Sequence, residues 1–211
     1  NDHLHIASLD YAPIESRREY DEYDEYVLDG NTMPNDRPDI LNEAPRAAWA
    51  PGEYTRVPYW TFRDPAVLAL EYERIFRGCT WNFLCLEAEL PNVGDFKTNV
   101  LGDMPIVIAR NGAGAIVAFE NRCAHRGALL ALVNRGNASD FTCVYHGWRH
   151  DLEGNLASVA FARGVKGQGG MPADFEMSRY NPRKLRIACV AGLVFGTLDT
   201  QTPPIEDYLG D

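Results

Sequence analysis

The rhythm of hydrophobic and polar residues changes twice along the chain. Over residues 1–45 no apolar period holds: Asp, Glu, Asn, Pro and Tyr dominate, and the run EYDEYDEY at 19–26 repels itself. This stretch is expected to form a disordered or loosely wrapping arm, with its tyrosines as the alternative means of docking it on a partner subunit. From Tyr54 the chain reads TRVPYWTF, and Asp64-Pro65 then supplies an N-cap followed by a first-turn proline. Leu68, Leu70, Tyr72, Ile75 and Phe76 fall near one helical face and the pattern stops at Gly78, which predicts a helix over 64–77. Beyond Pro91 the period shortens. Alternating or apolar runs occur at FKTNV, PIVIAR, AIVAFEN, FTCVY, LRIACVA and LVFGTL. Turn chemistry separates them at Gly94-Asp95, Gly102-Asp103, Asn111-Gly112, Glu153-Gly154-Asn155 and Ala191-Gly192, while GVKGQGGMP at 164–172 reads as a long loop. The predicted fold class is mainly β, a small antiparallel sandwich or barrel preceded by one helix and the acidic arm.

Composition adds little to this except through charge. The 211 residues carry a net charge of −10, of which −8 belongs to residues 1–50 (twelve acids against four arginines), leaving −2 for the rest. With pI 5.0 and no basic face, a nucleic-acid partner is not expected. No apolar run reaches transmembrane length and the N-terminus lacks the order of a signal peptide, so neither a membrane partner nor export is expected. The missing initiator Met hints at trimming. Five cysteines, an odd number, make a disulfide framework improbable, and the reduced cytoplasm is the expected compartment. Cys79, Cys85 and Cys189 stand among apolar residues and read as small buried hydrophobes.

The chemistry lies in the histidines. Of the five (His3, His5, His125, His146 and His150), two stand beside cysteines in short turn-rich segments, NRCAHRG and TCVYHGW. The pattern is Cys123-x-His125, seventeen residues, then Cys143-x-x-His146. Thiolates and imidazoles together suit zinc or an iron–sulfur centre. Zinc modules usually open with a cysteine pair and close with a histidine pair. Here each loop offers one of each, which fits a two-iron cluster with both cysteines on one iron and both histidines on the other. Two ferric ions, two sulfides and two thiolates sum to a neutral oxidised cluster, so an added electron is accepted more readily than by an all-cysteine centre. The histidine-bound iron should lie nearer solvent. A structural zinc module remains the competing reading of the residues.

The stretch CAHRGALLAL…FTCVYHGWRHDLEGNL resembles the Rieske domain of aromatic-ring-hydroxylating dioxygenase large subunits, with the likeness running over roughly 54–210 through RIFRGCTWNFLCLEAELPNVGDF, GVKGQGGMP and IEDYLG. The flanks are most similar to the terephthalate dioxygenase branch, with salicylate 5-hydroxylase and anthranilate dioxygenase as relatives. The resemblance implies a Rieske β-sandwich with a two-loop cluster-binding subdomain. It makes Cys123, His125, Cys143 and His146 the ligands of a [2Fe–2S] cluster, and places Arg126, Gly127, Gly147 and Trp148 around it. Respiratory Rieske proteins carry a further cysteine in each loop and a serine after the second glycine. Ala128, Tyr145 and Trp148 stand at those places here, which implies a lower potential. His150 occupies a position where relatives have an aromatic such as Tyr, and is read as lying around the cluster or at the surface.

Members of this family continue into a catalytic domain with a mononuclear Fe(II), but no histidine follows His150 in this chain. The expected organisation is therefore an arm at 1–45, a Rieske domain with its helix at 46–211, and no catalytic residue in the chain itself. The implied role is the electron-transferring portion of a longer large subunit. It takes electrons from an NADH-dependent reductase or a ferredoxin and passes them to a mononuclear iron of a neighbouring large subunit in a trimer, which dihydroxylates an aromatic carboxylate. A small β subunit is left open, and a stand-alone Rieske ferredoxin is the alternative.

Overall fold

The computed structural model describes residues 55, 57, 59–166 and 168–210, so the acidic arm at 1–45 lies outside the described residues. Asp64 caps α1 (Pro65–Glu71) through its carboxylate, which accepts from the Ala66 amide at 2.9 Å. The helix widens into a π turn at Tyr72–Phe76, and its rings rest on the tip of a hairpin. Gly102 lies so close to Phe76 and Tyr72 that a Cβ there would meet both at 3.0–3.1 Å. Among the described residues, no helix is long and apolar enough to cross a membrane.

Among the described residues ten strands follow: β1 (Asn82–Leu86), β2 (Asp95–Leu101), β3 (Met104–Arg110), β4 (Ile116–Glu120), β5 (Arg135–Asn137), β6 (Phe141–Thr142), β7 (Arg149–His150), β8 (Leu156–Ser158), β9 (Lys184–Val190) and β10 (Leu193–Thr197). Seven form one antiparallel sheet in the order β1-β10-β9-β4-β3-β2-β5, and β6-β7-β8 form a small second sheet. A short α2 (Ile205–Leu209) closes the described chain. The expected mainly β, antiparallel fold with a separate two-loop subdomain is what forms. Its tight turns fall at the glycine pairs: Gly102-Asp103 joins β2 to β3, and Ala191-Gly192, both at positive φ, join β9 to β10.

The position of β3 explains its unbroken apolar run. It sits inside the large sheet, and its residues 106–109 are fully buried on both faces. Ile106 and Ile108 face one core with Leu84, Leu90, Leu101 and Val194. Val107 and Ala109 face the other, where Phe96, Phe119, Phe141, Trp148, Leu156 and both Cys123 and Cys143 gather. The second core is the seat of the small sheet.

Three expectations need correction. The run FTCVY is strand only at Phe141–Thr142, because the backbone turns at Cys143 to form a loop. Cys85 is buried, and burial pushes its thiol up to about 11, but Cys79 and Cys189 are exposed. Cys79 follows the helix-ending Gly78, and Cys189 falls on an outward position of β9, so local apolar composition did not decide their burial. Of the two places expected for His150, around the cluster or at the surface, the surface is excluded: it is wholly buried, since its register opposite Phe141 turns it inward.

Candidate metal centre

Two loops with one backbone design project from the core. In the first, the Cys123 amide donates to the Ala128 carbonyl at 2.8 Å and the Gly127 amide donates to the Cys123 carbonyl at 2.8 Å. In the second, the Cys143 amide donates to the Trp148 carbonyl at 2.8 Å and the Gly147 amide donates to the Cys143 carbonyl at 3.0 Å. Each loop closes at a glycine four residues after its cysteine. Gly127 at φ 72° and Gly147 at φ 68° adopt the left-handed conformation that glycine alone takes cheaply. Beside Gly147 a Cβ would also meet that of Ala160 at 3.1 Å. The histidines differ by one position within this shared frame: His125 is two residues after its cysteine and His146 three.

Burial follows the same pattern in both loops. Cys123 is 2% and Cys143 3% exposed, whereas His125 and His146 stand in solvent. The thiols of Cys123 and Cys143 are neighbours. Burial pushes the Cys123 thiol up, and the Cys143 side chain adds to this, against the amides of His125 and Arg126 that donate to its sulfur. Those two amides are the kind of donors that stabilise a coordinated thiolate. The imidazoles lie with ring centroids 4.5 Å apart and planes at 69°. Burial, the His146 ring and the Arg126 cation all hold His125 below the usual histidine range, which favours the neutral, ligating form.

Asn121, itself 3% exposed, fixes the base of the first loop. Its amide nitrogen donates to the Ala131 carbonyl at 2.9 Å, and its oxygen accepts from the amides of Leu130 and Ala131 at 3.0 and 2.8 Å. Asp151 fixes the base of the second: its carboxylate accepts from the amides of Glu153 and Asn155, shaping the turn between β7 and β8. His150, beside it, donates from Nδ1 to the Gly154 carbonyl at 3.3 Å, while its Nε2 has no hydrogen-bond partner.

Among the described residues, no three of His, Cys, Asp and Glu converge closely enough to hold one metal ion. A buried sulfur pair beside an exposed imidazole pair instead offers two sets of two ligands, the donor set of a two-iron centre. The residues present thus fit a [2Fe–2S] cluster. Of the surrounding residues named from sequence, Trp148 is buried and lies flat on His125 with centroids 4.7 Å apart, and Arg126 is exposed beside it. Phe175 and Tyr180, which enclose Trp148 from the other side, carried no signal in the sequence beyond two aromatics five residues apart.

Residues 80–167 match the family described as the Rieske [2Fe-2S] domain. The terephthalate 1,2-dioxygenase terminal oxygenase component subunit alpha 2 of Comamonas sp is 52% identical over 162 residues, covering 77% of this chain and 39% of that one. The anthranilate 1,2-dioxygenase large subunit of Burkholderia cepacia is 55% identical over 156 residues, covering 74% and 37%. A solved structure of naphthalene 1,2-dioxygenase from Rhodococcus sp., bound to indole, superposes with TM-score 0.65 at 36% identity, covering 74% of this chain and 34% of that one. The chain thus spans under two fifths of the length of these relatives.

Proposed function

We propose that Cys123, His125, Cys143 and His146 hold the cluster of the Rieske [2Fe-2S] domain matched at residues 80–167, as the electron-transferring part of an aromatic-ring-hydroxylating dioxygenase large subunit. The observation that carries the assignment is the sorting of the four side chains into a buried thiol pair and an exposed imidazole pair. When bound, the cluster supplies a one-electron couple.

The residues of the chain do the rest. Cys123 and Cys143 would anchor the cluster at the second core, where they are buried with Phe141 and Leu156. The amides of His125 and Arg126 direct their hydrogens at the Cys123 sulfur and steady its negative charge. Trp148 fixes the plane of His125, and the two exposed imidazoles would hold the solvent-side iron and give electrons a short path to and from partners.

Within the larger reaction, an NADH-dependent reductase or a ferredoxin supplies electrons, and the receiver is a mononuclear iron of a neighbouring large subunit, in the cytoplasm. The likeness to terephthalate and anthranilate dioxygenase subunits supports an aromatic carboxylate as the molecule dihydroxylated.

The deciding measurement is spectroscopic. Protein purified without oxygen should be red-brown, and dithionite should give a rhombic EPR signal with average g below the free-electron value. Colourless protein with stoichiometric zinc would sink the assignment. His125→Cys or His146→Cys should retain a cluster and lower its potential, because each exchange adds one negative charge.

A further inference from the structure

The sequence contains one Asn-Gly step, Asn111-Gly112, and it lies in the turn between β3 and β4. The Asn111 side chain ties that turn together and is only 6% exposed. Its Oδ1 accepts from the amides of Ala113 and Ala115 at 3.1 and 2.9 Å. Its Nδ2 donates to Oε1 of Glu153 at 3.0 Å, which fastens this hairpin of the large sheet to the β7–β8 turn of the small one. The next backbone amide, that of Gly112, has no hydrogen-bond partner among the described residues, and open space surrounds the place where a side chain would stand.

We propose that Asn111-Gly112 is a site of self-modification, at which the Asn111 carboxamide is converted to aspartate or isoaspartate, with Glu153 as its latch. The Gly112 nitrogen is free to act as the nucleophile. The carbon it would attack, Cγ of Asn111, carries the oxygen that already receives the Ala113 and Ala115 amides. Donors placed in this way stabilise the negative charge that such an oxygen gathers during attack. In the step, the Gly112 nitrogen bonds to Cγ, the Cγ–Nδ2 bond breaks, and ammonia leaves with the proton from the Gly112 amide. Water then opens the cyclic imide at one or the other carbonyl. Nothing is oxidised or reduced.

Glu153 opposes this in two ways. Its carboxylate holds the leaving nitrogen in place, and its negative charge disfavours the deprotonated amide that attacks. The conversion therefore runs in the intervals when the Asn111–Glu153 link is open. Its product does not restore the link. A carboxylate at position 111 meets the carboxylate of Glu153 where a hydrogen bond stood, and like charges at that range repel. The two sheets lose this tie, so the Asn-Gly step acts as a slow timer on the turn beneath the second loop.

The test incubates the folded chain at mildly basic pH and follows two products over days. One is isoaspartate at residue 111, read by peptide mapping; the other is backbone cleavage between residues 111 and 112 when hydroxylamine is added to trap the imide. Both should form in the unmodified protein. Glu153→Ala, a change at an exposed side chain, should speed them by about tenfold, the gain in open fraction on losing one hydrogen bond to a charged group. Gly112→Ala should slow them by about tenfold or more, because a Cβ crowds the attacking nitrogen and stiffens its backbone. Asn111→Asp imitates the product: it should unfold at lower urea than the unmodified protein, and adding Glu153→Gln should recover most of the loss. Absence of both products from the folded chain, where the urea-unfolded chain forms them, overturns the site. An unchanged rate in Glu153→Ala overturns the latch, and full stability of Asn111→Asp overturns the timer.

Discussion

His125 of the first loop lies on Trp148 of the second, with planes 9° from parallel. The contact braces one loop with a side chain from the other, so the place of the His125 imidazole is set by two segments at once. Trp148 can serve this way because its carbonyl already receives the Cys143 amide and its ring is clamped by Phe175 and Tyr180. Trp148→Ala should cost about 3–5 kcal/mol in stability, the range for removing a buried aromatic. It should also lower iron content per chain. Trp148→Phe keeps a ring against His125 and should retain most of the iron, as measured by metal analysis and urea unfolding.

Asn121 makes the base of the first loop a hydrogen-bonded unit with no water needed. Asn121→Ala leaves the amides of Leu130 and Ala131 without their acceptor in a buried site. The expected loss is about 3 kcal/mol in the unfolding free energy.

Gly154 tests the turn beneath the second loop. Its φ is 78°, and a Cβ would fall 2.6 Å from Cγ of Phe119 in the second core. Gly154→Ala should destabilise by about 2–3 kcal/mol, through both backbone strain and overpacking. Gly112, with open space around it and no positive φ, should accept alanine with less than about 0.5 kcal/mol of change. Thermal unfolding of the two variants side by side distinguishes these effects.

His150 gives stability a pH dependence. Burial lowers its proton affinity below the ordinary value of 6.5, against smaller opposing effects of the Gly154 carbonyl and Asp151. Below that pH the unfolded chain takes up a proton that the folded chain resists, so stability falls as pH drops through 6.5 and downward. His150→Phe should flatten that decline without altering stability much at neutral pH. Unfolding midpoints in urea across pH 5 to 7.5, a range of roughly a unit on either side of a free histidine, measure the difference.

The fold was readable from sequence where a single local rule decided the structure. The Asp64-Pro65 cap, the Gly102-Asp103 and Ala191-Gly192 hairpins and the apolar run of β3 follow from chemistry within a few residues. The two matching loops were readable too, because each cysteine carries its turn glycine four residues on.

What sequence did not show depends on long-range partners. The three short strands of the small sheet have two or three residues each, too few for a period to register. His150 is buried only because β6 places Phe141 opposite it, and Cys79 and Cys189 are exposed despite apolar neighbours in sequence. The enclosure of Trp148 by Phe175 and Tyr180 brings together residues separated by a glycine-rich loop whose own pattern carries no period.

The gradient from buried cysteines to exposed histidines also orders how such a centre would come apart. Acid and chelators arrive from solvent, and they meet the imidazoles of His125 and His146 long before the sulfurs of Cys123 and Cys143. Decay should therefore begin at the histidine edge, leaving a half-released centre still tethered by its thiolates.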